Sequence, residues 1–188
     1  SCYAAKSRGI CVYAFEPSVF NLELLARNIF LNKLVGQIVI VPLPLSNSIK
    51  TSTFNMSTME WGGAISTFGE NYGYNGENLE KVFDFSSIGI SMDEAVSLLR
   101  IPPPSHIKID VDGIEHLILS GGQSVLRQVK EILVEVDDSF TKQAVDVEKH
   151  LTAAGLTFKE KLHSEMFDNH PRFGNIYNQI WHRPIANQ

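Results

Sequence analysis

Short apolar runs alternate with stretches whose apolar residues recur at helical spacing along most of this chain. Residues 10–15 are apolar, β-branched and aromatic, and predict a buried strand. Pro17 and Ser18 then open a helix on which Phe20, Leu24 and Leu31 fall near one face. Residues 38–41 predict a second strand, closed by Pro42 and Pro44, which cannot donate to a sheet ladder. Residues 45–85 are different, being rich in Ser, Thr, Asn and Gly with isolated aromatics. They predict an irregular insertion, with room for a β-hairpin, placed to shape a substrate pocket.

Regular patterning returns at Ser91-Met92-Asp93-Glu94, which has the form of a capping box ahead of the apolar stripe Met92, Ala95, Val96 and Leu99. Residues 102–104, all proline, stop that helix. A strand at 107–111, a helix at 114–126, a strand at 132–136 and a helix at 142–154 follow, and Gly155 suits the last helix end. Two final strands, 156–162 and 176–182, come with no helix between them. Repeated strand–helix–strand units predict a single α/β domain over 1–188, a mostly parallel sheet covered by helices. The last two strands predict an antiparallel pair at one edge, unlike the helical continuation of a nicotinamide-binding domain.

Composition narrows the picture only a little. The chain has 188 residues, enough for a sizeable core, with 44% hydrophobic and 20% charged residues, as in folded domains rather than disordered ones. The formal net charge is −5 and the cations are scattered, so no basic stripe marks a nucleic-acid binder. The charge fits a small neutral or polar partner. No apolar run has the length of a membrane span, and the N-terminal residues show no signal-peptide pattern. Cys2 and Cys11 alone predict reduced thiols and a cytoplasmic protein rather than a disulfide framework.

Three places carry candidate chemistry. Glu16 ends the first strand, where an acid in an open α/β sheet can accept hydrogen bonds from both hydroxyls of a ribose. The alternative is a solvated carboxylate near a helix N-terminus. In Ile107-Lys108-Ile109-Asp110-Val111-Asp112-Gly113, strand alternation puts Lys108, Asp110 and Asp112 on one face. Such charges on a central strand are costly unless paired or functional. Lys108 pairing with Glu135 on the next strand, or Asp112 and Glu115 forming a capping box, would account for them structurally. The third place, His163, Glu165, Asp168 and His170, matches no zinc spacing, and no metal is expected there. Trp61, Phe68, Tyr72 and Tyr74 either line a pocket, with cation–π contact to a sulfonium, or pack the insertion onto the domain.

Val12-Tyr13-Ala14-Phe15-Glu16-Pro17-Ser18, followed by Asn28 and Asn32, resembles the opening motif of FkbM-type methyltransferases. Residues 107–115, IKIDVDGIE, are similar to that family's IKIDVEGxE segment, with Asp112 in place of Glu. Gly121-Gly122 and the ILVEV strand at 132–136 match later landmarks in order and approximate spacing. The resemblance implies a Rossmann-like class I methyltransferase sheet and S-adenosyl-L-methionine as cofactor. It implies cofactor contacts from Glu16, Pro17 and Ser18, and from Leu45, Ser46 and Asn47 near the adenine. It places Asp110 and Asp112 at the methionine moiety or the reacting hydroxyl. The implied activity is O-methylation of a sugar or natural-product acceptor. The family's first strand and glycine loop are expected ahead of Ser1, in a slot between the strands of Phe15 and Ile109.

In that reading Asp110 and Asp112 are the leading general bases, with His106 a weaker one. The competing expectations are a non-catalytic binding domain lacking the cofactor loop, and a nicotinamide-dependent oxidoreductase using Glu16 for the ribose.

Overall fold

The computed structural model describes residues 1–163 and 173–184. Helix α1 (Cys2–Arg8) leads into β1 (Val12–Phe15), and α2 (Val19–Leu31) returns the chain to β2 (Ile38–Val41). Ser18 caps α2, its hydroxyl accepting the Asn21 amide at 3.3 Å. Strands β1 and β2 run parallel, with Val12 opposite Ile38 and Phe15 opposite Val41. A small apolar cluster of Ala5, Ala14, Ile29, Leu34 and Ile38 holds this unit together.

The 45–85 segment is more regular than its polar composition predicts. It forms an antiparallel sheet of β3 (Lys50–Met56), β4 (Ser66–Phe68) and β5 (Phe83–Gly89), in the order β4-β3-β5. Phe54, Met56, Phe68, Phe83 and Phe85 join the main core from one face of this sheet. Asn55 and Thr67 lie opposite each other on the other face and are buried too, although polar residues at such positions read in sequence as facing solvent.

The rest of the chain builds the larger core. Helix α3 (Met92–Leu98) starts at the expected capping box, with Ser91 Oγ accepting the Glu94 amide and Glu94 Oε2 accepting the Ser91 amide at 3.0 Å. The predicted 114–126 helix is two helices, α4 (Glu115–Ser120) and α5 (Gln123–Leu126), broken at Gly121-Gly122. A Cβ on Gly121 would lie 2.7 Å from the carbonyl oxygens of Ser46 and Asn47, so this break lets another backbone approach closely.

Strands β6 (His106–Ile109), β7 (Glu131–Asp137), β8 (Thr157–Leu162) and β9 (Ile176–His182) form one sheet in the order β6-β7-β9-β8, with α6 (Thr141–Ala153) between β7 and β8. Ile132, Val134 and Val136 of β7 are fully buried in one cluster with Ile118, Leu119, Val147 and Leu151, while Glu131, Leu133 and Glu135 alternate on the other face.

The β1–β2 and β6–β7 pairs are parallel, whereas β7–β9 and β8–β9 are antiparallel, as the closing pair of strands predicts. Including the insertion, antiparallel pairs outnumber parallel ones among the described residues, so the sheet system is mixed rather than mostly parallel. Each of β1 and β6 has strand pairing on one edge only among these residues. No described helix is long and apolar enough to cross a membrane.

Candidate active site

The chain leaves β6 at Ile109 and turns sharply before α4. Asp112 adopts φ 62°, the left-handed region that costs a non-glycine residue energy, and Gly113 follows at φ 117°. Glu115 holds the turn from within. Its Oε1 accepts the Val111 amide and its Oε2 the Gly113 amide, both at 3.0 Å, so the two bonds straddle Asp112. Gln143 of α6 donates its side-chain amide to Glu115 Oε2 and accepts the Asp137 amide at 2.9 Å. Glu115 is 1% exposed. Burial pushes its carboxyl up to about 7, against the pull of the Val111 amide, its own amide and the Gln143 side chain.

The capping-box expectation for Asp112 and Glu115 is half met. Glu115 reaches back to backbone amides, but Asp112 caps nothing in α4, where Ile114 is the N-cap. Asp112 Oδ2 instead accepts the amides of Ile65 at 2.8 Å and Ser66 at 3.1 Å, tying the start of β4 to the β6 loop. Burial raises the Asp112 carboxyl, the two amides oppose the rise, and the Asp110 charge adds to it. Lys108 pairs with Asp110 at 2.5 Å, and its register partner on β7 is Leu133, so the cross-strand pair with Glu135 does not form.

Glu16 follows β1. Its Oε1 accepts the Ser18 amide at 2.8 Å, which fixes the carboxylate at the entrance to α2. Burial raises its carboxyl, the Ser18 and Asn21 bonds lower it, and the Asp112 charge raises it again. Glu135 on β7 is half-buried and makes no ion pair among the described residues. Burial first, then the charges of Asp110, Glu115 and Asp112, push it up to about 7. The Asp112 charge thus reaches Glu16, Glu115 and Glu135, and the Asp110 charge reaches Asp112 and Glu135, near the carboxyl ends of β1, β6 and β7, the side where open α/β sheets take ligands.

The other predicted contacts are placed differently. Ser18 is buried as the α2 cap. Leu45 forms a parallel bridge with Ile90, the Ser46 amide donates to the Ile90 carbonyl at 2.9 Å, and Asn47 Oδ1 accepts from Lys50 at 3.1 Å. This segment packs on Gly121 through the close approach described above. Tyr72 stacks edge-on against Phe140, and Phe68 and Tyr74 are buried, so these aromatics pack the insertion onto the domain; Trp61 is exposed. Of the four tail residues weighed for metal, Glu165, Asp168 and His170 lie outside the described residues. No group of His, Cys, Asp and Glu among the described residues is arranged to hold a metal.

Sequence reasoning missed Gln143 and gave Glu115 and Glu135 only structural parts. An ILVEV strand with a glutamate pointing off the buried face was the available signal for Glu135. Nothing in the linear pattern links Gln143 to Glu115, 28 residues away.

The α/β fold with mixed sheets carries these carboxylates on the side where open α/β sheets take ligands. Residues 1–168 match the methyltransferase FkbM domain family, and the chain belongs to that family. It is similar to the hexuronic acid methyltransferase AglP of Haloferax volcanii, 28% identical over 148 residues, which are 78% of this chain and 54% of that protein. Its fold is like the crystal structure of methyltransferase FkbM from Methylobacillus flagellatus, with a TM-score of 0.57 at 11% identity over 95% of this chain and 38% of that one. The chain therefore spans little more than half of the curated relative and under half of the solved one.

Proposed function

We propose that this chain forms part of a Rossmann-like class I enzyme that moves a methyl group from S-adenosyl-L-methionine to a hydroxyl of a sugar or related natural product. The observation carrying this reading is that Glu16 after β1 feels the charge of Asp112 in the loop after β6, beside the singly paired edges of these two strands. Family membership supplies the reaction class. The name of the Haloferax relative favours a sugar, and specifically a sugar acid, as the acceptor class.

The residues present fit the cofactor. Glu16 is a half-buried carboxylate anchored through one oxygen by the Ser18 amide, the geometry needed to receive a ribose diol. Pro17 and Ser18 fix its backbone at the start of α2, and Leu45, Ser46 and Asn47 line the exit from β2, where an adenine ring would rest. When bound, S-adenosyl-L-methionine supplies an electrophilic methyl carbon on a sulfonium sulfur.

The protein's part is positioning and proton removal. Holding the acceptor oxygen in line with the methyl–sulfur bond supplies most of the acceleration. The hydroxyl proton passes to a carboxylate as the oxygen attacks, and Asp110 and Asp112 are the bases proposed. Asp112 keeps Oδ1 clear of the two amide bonds made by Oδ2, and burial favours its protonated form.

Calorimetry of the full-length protein with S-adenosyl-L-methionine tests the cofactor assignment. Binding that is lost in Glu16→Ala supports it, and no binding by the unaltered protein refutes it. Transfer of an isotopically labelled methyl group to uronic acids and neutral sugars then tests the acceptor class. Turnover unchanged in both Asp110→Asn and Asp112→Asn would remove the proposed bases.

A further inference from the structure

We propose that Glu115 is a positioning residue, a buried brace that locks the 111–113 turn so that Asp112 is presented at once to the insertion and to the reaction centre. The catalytic half of this inference rests on the function proposed above; the structural half does not.

The brace is defined by its bonds. Val111 and Gly113 flank Asp112, and both of their amides end on the Glu115 carboxylate at 3.0 Å. Asp112 sits at φ 62°, a conformation that persists only where its surroundings impose it. From there its Oδ2 collects the amides of Ile65 and Ser66, and Ile65 is itself left-handed at φ 63°, which is unfavourable for a β-branched residue. One carboxylate therefore imposes a turn whose own carboxylate imposes a second.

The far end is anchored as firmly. Gln143 is 2% exposed and bridges Glu115 to the Asp137 amide at the end of β7. On the outer side, a Cβ at Gly113 would come within 2.5 Å of the Gly73 carbonyl oxygen, so the 72–74 backbone closes over the turn. The turn is thus held between α6 and the insertion. An ordinary helix cap would satisfy one or two amides of its own helix. Glu115 instead satisfies amides on either side of a site residue, at the cost of burying a carboxylate.

Glutamine at this position tests the brace. Its single acceptor oxygen can serve only one of the two amides, while its NH2 group faces the donor of Gln143. In full-length Glu115→Gln, amide hydrogen exchange at Ile65 and Ser66 is expected to quicken about tenfold, the effect of one hydrogen bond. Activity with S-adenosyl-L-methionine and a sugar acceptor is expected to fall in kcat by about tenfold, with KM for the cofactor within about twofold.

Because the brace acts through Asp112, Glu115→Gln combined with Asp112→Asn is expected to be no slower than Asp112→Asn alone. Unchanged exchange at Ile65 and Ser66, or losses in kcat that multiply in the double variant, would overturn the proposal. Gln143→Met, which removes the third bond to Glu115 together with the acceptor of the Asp137 amide and leaves Glu115 in place, carries the same exchange measurement if Glu115→Gln does not fold. Should the unaltered protein transfer no methyl group, the functional reading fails while the exchange experiment still decides the brace.

Discussion

Asp112 and Ile65 lie 47 positions apart, both with left-handed backbone, and the carboxylate of the first accepts the amide of the second at 2.8 Å. This bond joins the loop after β6 to the start of β4, so the insertion and the acid cluster are registered to each other by a side chain. Asp112→Ala leaves the Ile65 and Ser66 amides without that acceptor. A loss of about 2 kcal/mol is expected in urea unfolding, together with faster exchange of both amides. A variant as stable as the parent would show that water replaces the carboxylate without penalty.

Glu135 gives the stability a definite pH dependence. Its folded pKa, raised to about 7, lies above the ordinary value of 4.5. Between those values the folded protein holds a proton that the unfolded chain has released. The contribution is therefore complete below about pH 4.5 and is lost as the pH rises through 7. Glu135→Gln removes this loss, and the variant is expected to gain on the parent by on the order of 1 kcal/mol between pH 5 and 8, after solvent screening. Parallel unfolding curves at the two pH values would contradict this account.

Gly121 is expected to tolerate no side chain. Alanine there would press on the carbonyl oxygens of Ser46 and Asn47, which belong to backbone rather than to a flexible side chain. Gly121→Ala should destabilise the fold by about 1–3 kcal/mol. It should also shift the amide resonances of residues 45–47, which a two-dimensional NMR spectrum would detect. Since that segment is proposed to rest near the adenine, cofactor affinity should weaken in the same variant.

Arg183 closes two helix ends together. Its guanidinium donates to the carbonyls of Leu126 at 2.6 Å, Val129 at 3.0 Å, Ala154 at 3.1 Å and Gly155 at 3.4 Å. Those carbonyls lie at or just past the C-terminal ends of α5 and α6, where a cation also meets the negative end of the helix dipole. Arg183→Lys keeps the charge and loses the fork, so thermal unfolding should show a loss of about 2 kcal/mol despite the conserved charge. A lysine variant equal to the parent would assign the effect to charge alone.

Much of the fold could be read along the chain where one physical signal dominated. Strands β2 and β9 carry apolar or aromatic runs bounded by breakers, and their predicted limits coincide with those observed. The Ser91 capping box is a local motif that needs no tertiary partner to be legible. The β3–β5 sheet was not legible. Its alternating stretches, Phe54-Asn55-Met56, Thr67-Phe68 and Phe83-Asp84-Phe85, are each too short to mark a strand amid the surrounding Ser, Thr, Asn and Gly. The break between α4 and α5 was hidden because Gly121 answers to Ser46 and Asn47, which only folding brings near.

The acids of the site divide in the same way. Glu16, Asp110 and Asp112 stood out because a charge at the end of an apolar strand is a local anomaly. Their partners did not: Lys108 chose Asp110, Asp112 chose the Ile65 and Ser66 amides, and Glu115 chose Gln143. By itself the sequence determined the order of strands and helices outside 45–85, apart from the α4–α5 break, the FkbM-type motifs and the acids Glu16, Asp110 and Asp112 that follow strand ends. Those depend on short-range patterning, which neighbouring residues carry. Tertiary structure alone decided which carboxylates are buried, which amides they hold and how far their pKa values move, because desolvation and hydrogen bonding are set by groups from distant segments of the chain.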